Sequence, residues 1–345
     1  MQRIRDTTAA AALPAPPALT GPAGYFTGGA PGTVPATRVR YWWLNMLQEE
    51  LLSILTAAGI TPDTTGTNFH QVLDAIRAGA GGATRYRLSA ATTFYVSPAG
   101  NDANTGMTPA TAFRTLGACW VFLTANIDCA GQTVTISLAD GTYPSAALLW
   151  SLVGQNEAVY ITGNTTTPGN VVISSATNDA LVIAHTGRFQ LSGMRFQSSA
   201  PSGDTYTGAG SGLVVTEGSL VSISRVEFGN CTTYQMAIYG GYITTLGLPY
   251  SIVGGASCHL VCNTMGNFTS ALSTVTITGT PNFTQFLFAA QNSVASTWGM
   301  TFSGGCTGMR WQAATGAIID IHGANPDTYF PGTINGNATG GAIVQ

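Results

Sequence analysis

The feature that most constrains this chain is a succession of short, partly alternating apolar runs separated by turns rich in Gly, Asn, Ser and Thr. Strands are predicted over 93–96, 134–138, 159–162, 171–174, 180–184, 189–196, 212–216, 221–228, 259–263, 274–278, 286–289 and 317–322. No regular series of long helices comes between them, which argues against a doubly wound sheet. In mid-chain the pair 180–184 and 189–196 recurs about thirty residues later as 212–216 and 221–228, with aliphatics interspersed with Thr, Ser or Arg in both copies. One such coil cannot bury an apolar face, whereas stacked coils share a continuous core. The expected fold is mostly β, a right-handed parallel β-helix of roughly eight to twelve coils.

Only 8 % of the residues are charged and lysine is absent, so all twelve basic residues are arginine. The surface must rely on Thr, Ser, Asn and Gly for its polarity. A formal charge of -3 gives nucleic acid no electrostatic footprint. With 45 % hydrophobic residues, six Trp, twelve Tyr and fourteen Phe, the chain lacks the signature of disorder and can fill a substantial core. No run approaches the roughly 18 apolar residues of a membrane span, and the stretch 9–13 is cut short by Pro14, Pro16 and Pro17. Neither a membrane span nor a secretion signal is expected. The six cysteines (Cys119, Cys129, Cys231, Cys258, Cys262 and Cys306) have spacings that fit neither a dense disulfide scaffold nor paired metal knuckles, and are expected as buried free thiols.

Residues 1–36 are rich in Ala, Pro, Gly and Thr without periodicity, the composition of an extended attachment arm ordered by a partner. Residues 37–83 form a helical head. Trp43, Met46, Leu47, Leu51, Ile54 and Leu55 share one face, with Gly59 as the stop. A second helix over 68–76 presents Phe69, Val72, Leu73 and Ile76, with Thr67 as cap. Two helices this short need something to pack on, which makes the head either a lid or a docking module. The β-helical body runs from 84 to 330 and a tail segment from 331 to 345.

The run Phe94-Tyr95-Val96-Ser97-Pro98-Ala99-Gly100-Asn101-Asp102-Ala103-Asn104-Thr105-Gly106, followed by Thr108-Pro109-Ala110-Thr111-Ala112-Phe113-Arg114-Thr115-Leu116, resembles the opening coil of the pectate-lyase-like right-handed β-helix superfamily. Asp140-Gly141-Thr142-Tyr143 resembles a turn that follows in those proteins. This resemblance specifies fold rather than activity, since the superfamily holds lyases, hydrolases and adhesins. Gly24-Tyr25-Phe26-Thr27-Gly28-Gly29, Trp43 through Leu51 and Ala57-Ala58-Gly59-Ile60 resemble the N-terminal region of tailed-bacteriophage tail fibre and tailspike proteins, with Thr67 through Gln71 and Ala75-Ile76 as its second helix. Phe330-Pro331-Gly332-Thr333, Gly336 and Gly340-Gly341 resemble a C-terminal segment of such proteins. The resemblance implies a homotrimer located in the virion tail and attached to phage tail or adaptor proteins through its N-terminus, with Tyr25, Phe26, Trp43, Asn45 and Glu50 as virion-docking residues.

Cleavage of a polysaccharide would need two carboxylates roughly 5–10 Å apart, or a base beside a neutralising cation. Asp179, Asp204 and Glu227 are separated by 25 and 23 residues, a spacing that successive coils can stack along one flank. Each of the first two also has the sequence of a polar turn, Asp179 after Asn178 and Asp204 between Gly203 and Thr205. Glu217 can join Glu227 across adjoining edges, or belong with Gly218 to an ordinary turn. A lyase would favour a lysine or arginine base, and only Arg188, Arg195 and Arg225 are placed for it. Arg195 and Arg225, thirty residues apart, are expected to stack on one exposed face, where they bind an acidic sugar or keep the surface soluble. Trp298 and Trp311 are candidates for sugar-stacking platforms or for packing. Alternation puts Cys258, Leu260 and Cys262 on one side of a strand and His259 on the other, which disfavours a metal site there. No phosphate-cradling loop, zincin helix or nucleophile elbow is present, and no metal or cofactor is expected.

These readings converge on a tail fibre or tailspike structural protein that contacts a bacterial surface polysaccharide or other receptor. The alternatives are a polysaccharide depolymerase of the same shape and a virion component that never touches the host.

Overall fold

A computed structural model describes residues 3–4, 6–18, 24–65, 67–79, 85–144, 149–201, 209–270 and 272–345. The chain divides into two compact units, Met1–Arg85 and Tyr86–Gln345.

In the first unit, α1 (Tyr41–Ala57) and α2 (Gln71–Gly79) pack together. Gly59 ends α1 as expected: at φ 69° its N–H donates to Thr56 O, and the next N–H, from Ile60, reaches back to Leu55 O. The buried residues of α1 are Leu52 and Leu55, while Met46, Leu47 and Ile54 stay exposed. Of the predicted apolar face Leu55 is buried, while the other buried residue, Leu52, lies outside it. A helix reading YWWLNMLQEELLSILTA is apolar on nearly every side, so its periodicity does not choose which side α2 covers. Asp63 organises the approach to α2, accepting hydrogen bonds from the Thr65 hydroxyl and from the backbone N–H groups of Asn68, Thr65 and Thr67, which hold its carboxyl well below the ordinary range. Thr67, predicted as the cap, is held by that carboxylate.

The second unit is built on three parallel sheets. The first has ten strands, in order Thr92–Val96, Val134–Leu138, Val159–Thr162, Arg188–Ser192, Leu220–Ser224, Tyr242–Thr244, Asn267–Thr269, Val294–Ser296, Ile318–Asp320 and Ile343–Val344. The second has seven: Gly141–Pro144, Val171–Ser175, Arg195–Ser198, Glu227–Cys231, Tyr250–Ile252, Thr274–Ile277 and Thr301–Ser303. The third also has seven: Leu181–Ile183, Leu213–Thr216, Tyr234–Tyr239, Ala256–Asn263, Asn282–Ala289, Thr307–Ala313 and Asn337–Ala338. From Val159 to Asp320 the chain visits first, second and third sheet in turn and then returns to the first, which makes this unit a parallel β-helix-like stack of coils. The advance from one coil to the next is 32 residues where Arg195 meets Glu227 and 25 where Asn230 meets Gly255.

Register puts like over like in the interior. Val221, Ile243, Phe268, Ala295 and Ile319 lie one above another on successive strands of the first sheet, all buried. Leu213, Met236, Leu260, Leu287 and Trp311 do the same on the third. Each coil thus covers the apolar face of its neighbour, as the mid-chain recurrence anticipated. Helix α3 (Leu116–Asn126), absent from the sequence prediction, adds Leu116, Cys119, Trp120 and Leu123 to the core near the first coils. The Trp120 ring lies 5.2 Å from Phe189 and 6.4 Å from Trp150. Asp102 accepts from the N–H groups of Arg114 and Thr115, and Thr115 caps the helix through Ala118 N–H.

Two predicted strands are each two strands. The runs 189–196 and 221–228 bend between the first and second sheets, at Gly193 (φ 70°) and Arg225 (φ 49°). Most turns from third to first sheet repeat another device, two successive residues of positive φ: His185-Thr186, Glu217-Gly218, Thr264-Met265, Gln291-Asn292, Thr315-Gly316 and Gly340-Gly341. That is the dihedral pattern of a type I′ turn. Gly308 meets a stricter demand, since at φ 106° a Cβ there would lie 1.7 Å from Phe283 O.

Candidate functional site

The structure separates the carboxylates that cleavage would need together. Glu217 occupies a third-to-first-sheet turn and Glu227 opens a strand of the second sheet, with all of Leu220–Ser224 between them. Five extended residues span about 16 Å, beyond the reach of a catalytic pair. Glu217 is held instead by the His185 imidazole one coil away. Asp179 lies beyond the strand Val171–Ser175, two strands of the second sheet before Glu227, so the two do not stack. Its carboxylate accepts from Ser211 N–H at 2.7 Å, and burial raises its pKa. It is a stitch between coils. Asp204 lies outside the described residues.

Glu227 is engaged by the cation expected to stack elsewhere. Arg195 and Glu227 are register partners on the outer face of the second sheet, and the guanidinium Nε and Nη2 both contact the same carboxylate oxygen, Oε1. The side chains are only 32 % and 15 % exposed. Gly169 leaves room for this pair, since a Cβ there would lie 2.5 Å from Arg195 Nη2. Near this sheet, Asp140 accepts from the amides of Asn164 and Asn170. The acid and the base proposed from sequence therefore neutralise one another. The stacking of Arg195 on Arg225 fails because the coil advance here is 32 residues rather than thirty. Arg188 begins a first-sheet strand, exposed, with Nη1 3.4 Å from Asn156 O.

Arg225 and Trp298 lie on the same edge, where the first sheet turns into the second. Along it, Arg225 (φ 49°), Leu246 (φ 50°), Leu272 (φ 59°) and His322 (φ 56°) hold left-handed backbone, and Trp298 directly precedes Gly299 (φ 67°). Leu246 is 62 % exposed, Leu272 66 % and Trp298 43 %. The Trp298 ring sits 5.7 Å from His322, and Leu272 N–H donates to Trp298 O. Leu272 closes over Gly299, whose φ of 67° favours glycine and where a Cβ would lie 2.8 Å from Leu272 Cδ2. Beside this edge runs an outward column in register, Thr244, Thr269, Ser296 and Asp320. Asp320 accepts from Ser296 Oγ and His322 N–H. Beneath lies a buried hydroxyl cluster in which Thr245 bonds Ser270 and Ser273. Sequence reasoning missed the two leucines because nothing in their spacing marks them as exposed.

Trp311 is no platform: it is 7 % exposed, and its indole N–H donates to Asp327 Oδ1 at 3.0 Å. His259 departs from the expected alternation. Residues 258–262 are all buried, and His259 stacks between Tyr250 and Phe286 at 5.7 and 4.8 Å, inside the core. The side chain of Gln235 fixes its tautomer. Gln235 Nε2 donates to Gly229 O and Gly254 O, so its Oε1 accepts from His259 Nδ1–H at 2.7 Å, which leaves Nε2 to accept from the Tyr250 hydroxyl at 2.9 Å. Burial lowers the pKa of this imidazole to about 3. The six cysteines are free and buried as expected; desolvation pushes Cys129 and Cys306 up to about 11 and Cys231 up to about 12. Among the described residues no group of three His, Cys, Asp or Glu side chains can hold a metal ion.

In the first unit, Tyr25 is almost wholly exposed and Phe26 meets Trp43 edge to face at 5.1 Å. Asn45 and Glu50 lie on α1, the latter exposed. The neighbouring Glu49 takes a two-pronged ion pair from Arg3 at 2.8 Å for each bond, and Ile4 N–H donates to Gln48 Oε1, which fastens the start of the arm to α1. No helix among the described residues is long and apolar enough to cross a membrane. Comparison of the chain with protein-family models, curated proteins and solved structures gives no match.

Proposed function

We propose that this chain is a tail fibre or tailspike-like structural protein of a phage virion. Its N-terminal unit attaches to the tail, and its body, a right-handed helix by the crossover preference of parallel strands, contacts the bacterial surface as a homotrimer. The order of arm, helices and coil stack supports this reading, together with the resemblances at both ends of the sequence. Binding without cleavage is supported above all by one observation: Glu227, the acid best placed on a sheet face, is neutralised by Arg195, while Asp179 and Glu217 are bonded elsewhere around the coil. The test is incubation of the purified chain with host envelopes, followed by mass spectrometry of what is released. Intact polysaccharide with retained cell binding is expected; defined oligosaccharide repeats would make the protein a depolymerase. Absence of the chain from the tail in cryo-microscopy of the source particle would overturn the virion assignment.

A further inference from the structure

The edge between the first and second sheets carries side chains that stability alone does not favour. Leucine gains little from burial at 62 % and 66 % exposure, and a γ-branched side chain at φ 50° and 59° costs conformational energy that glycine or asparagine avoids. Leu246 and Leu272 are disfavoured twice over, in adjacent coils, and Trp298 continues their line. Strain and exposure that coincide along one line point to contact with something outside the chain.

The chemistry of the line narrows what that is. From Leu246 to His322 it spans three coil spacings, about 14 Å, and is one side chain wide. That is far below the roughly 800 Å² per partner of a stable protein interface. Its apolar side chains run beside the hydroxyls of Thr244, Thr269 and Ser296, which matches a ligand with apolar ring faces and hydroxyl edges. Charge enters only at the ends, with Arg225 at one and Asp320 at the other.

We propose that this edge is a saccharide-binding strip that seats an uncharged glycan chain along the stack axis, with Trp298 as its stacking platform. The proposal rests on the surface-binding reading above and names the ligand class and the residues for it. The ring face of a sugar lies on Trp298 and its neighbours on Leu272 and Leu246, while Thr269, Ser296 and Asp320 take the hydroxyls.

The test uses the full chain on an array of purified bacterial surface polysaccharides, neutral and acidic, with intact host cells in parallel. Wild type is expected to retain neutral polysaccharides, and Trp298→Ala to weaken that binding at least about tenfold. The double variant Leu246→Asn/Leu272→Asn relieves the backbone, so its thermal midpoint holds or rises while binding falls; this separates lost contact from lost fold. Met265→Ala, equally exposed at positive φ but on the third-to-first-sheet edge, leaves binding unchanged. Undiminished binding by both edge variants, or wild-type retention of acidic polysaccharides alone or of none, overturns the strip. Failure of wild type to bind host cells at all overturns the surface-binding reading itself.

Discussion

Replacing His259 with phenylalanine should flatten the acid dependence of this protein's stability. The imidazole is buried between Tyr250 and Phe286, its two hydrogen-bond partners are the neutral Tyr250 and Gln235, and the fold holds its pKa at about 3 against 6.5 in the free chain. A lowered histidine pKa means that the folded state prefers the neutral ring. Its contribution is therefore complete above pH 6.5 and is lost as the pH falls from there towards the folded value, because the unfolded chain takes up the proton first. Linkage gives a loss of about 2 kcal/mol between pH 7 and pH 5, a factor of about thirty in the folding equilibrium. Denaturant titrations of wild type at a series of pH values should show that decline. His259→Phe leaves Gln235 and Tyr250 short of a partner and starts lower at neutral pH, by about 1–3 kcal/mol, but its curve should lack this component. The other three histidines are common to both proteins and cancel in the difference. Equal pH slopes in the two proteins would refute the reasoning.

The Arg195–Glu227 pair predicts a second asymmetry: Glu227→Met should destabilise by about 1–3 kcal/mol, while Arg195→Met/Glu227→Met recovers most of that, measured with Arg195→Met as the remaining corner of a double-mutant cycle in denaturant. Gly308→Ala, with a Cβ 1.7 Å from Phe283 O, should cost several kcal/mol or abolish folding, seen as a lowered unfolding midpoint or lost soluble yield. All six thiols should be silent to a thiol reagent in the native protein and react once it is unfolded, read by absorbance. Arg3→Ala should release the start of the arm from α1 and speed proteolytic cleavage within residues 6–18, followed by mass spectrometry.

The sequence carried the stack more clearly than its corners. The recurrence of 180–196 at 212–228 is a register repeat in the fold, with Leu213 on Leu181 and Val221 on Phe189. The bend in 221–228 was hidden because it passes through left-handed Arg225 rather than through glycine, the residue that advertises such a conformation, whereas Gly193 in 189–196 stood inside an otherwise continuous apolar alternation. A two-residue error in the coil advance was enough to exchange Glu227 for Arg225 as the neighbour of Arg195. Alternation failed at His259 because consecutive residues of one strand all face packed surroundings, so a period of two no longer separates inside from outside. At the site, aromatic type singled out Trp298 and Trp311 equally, and only the packing of Trp311 under Gly336 and beside Asp327 tells them apart.

The coil arrangement also has a mechanical consequence. The chain winds around the stack while its inter-strand hydrogen bonds point along it, so each coil keeps about 25–30 residues within about 5 Å of length. Drawn out straight, one coil would extend by about 80–100 Å. Tension on the ends meets the ladder one coil at a time, whereas compression meets every sheet and the whole interior column at once. Such a body is built to bear thrust as a strut and, under pull, to yield in long separate steps.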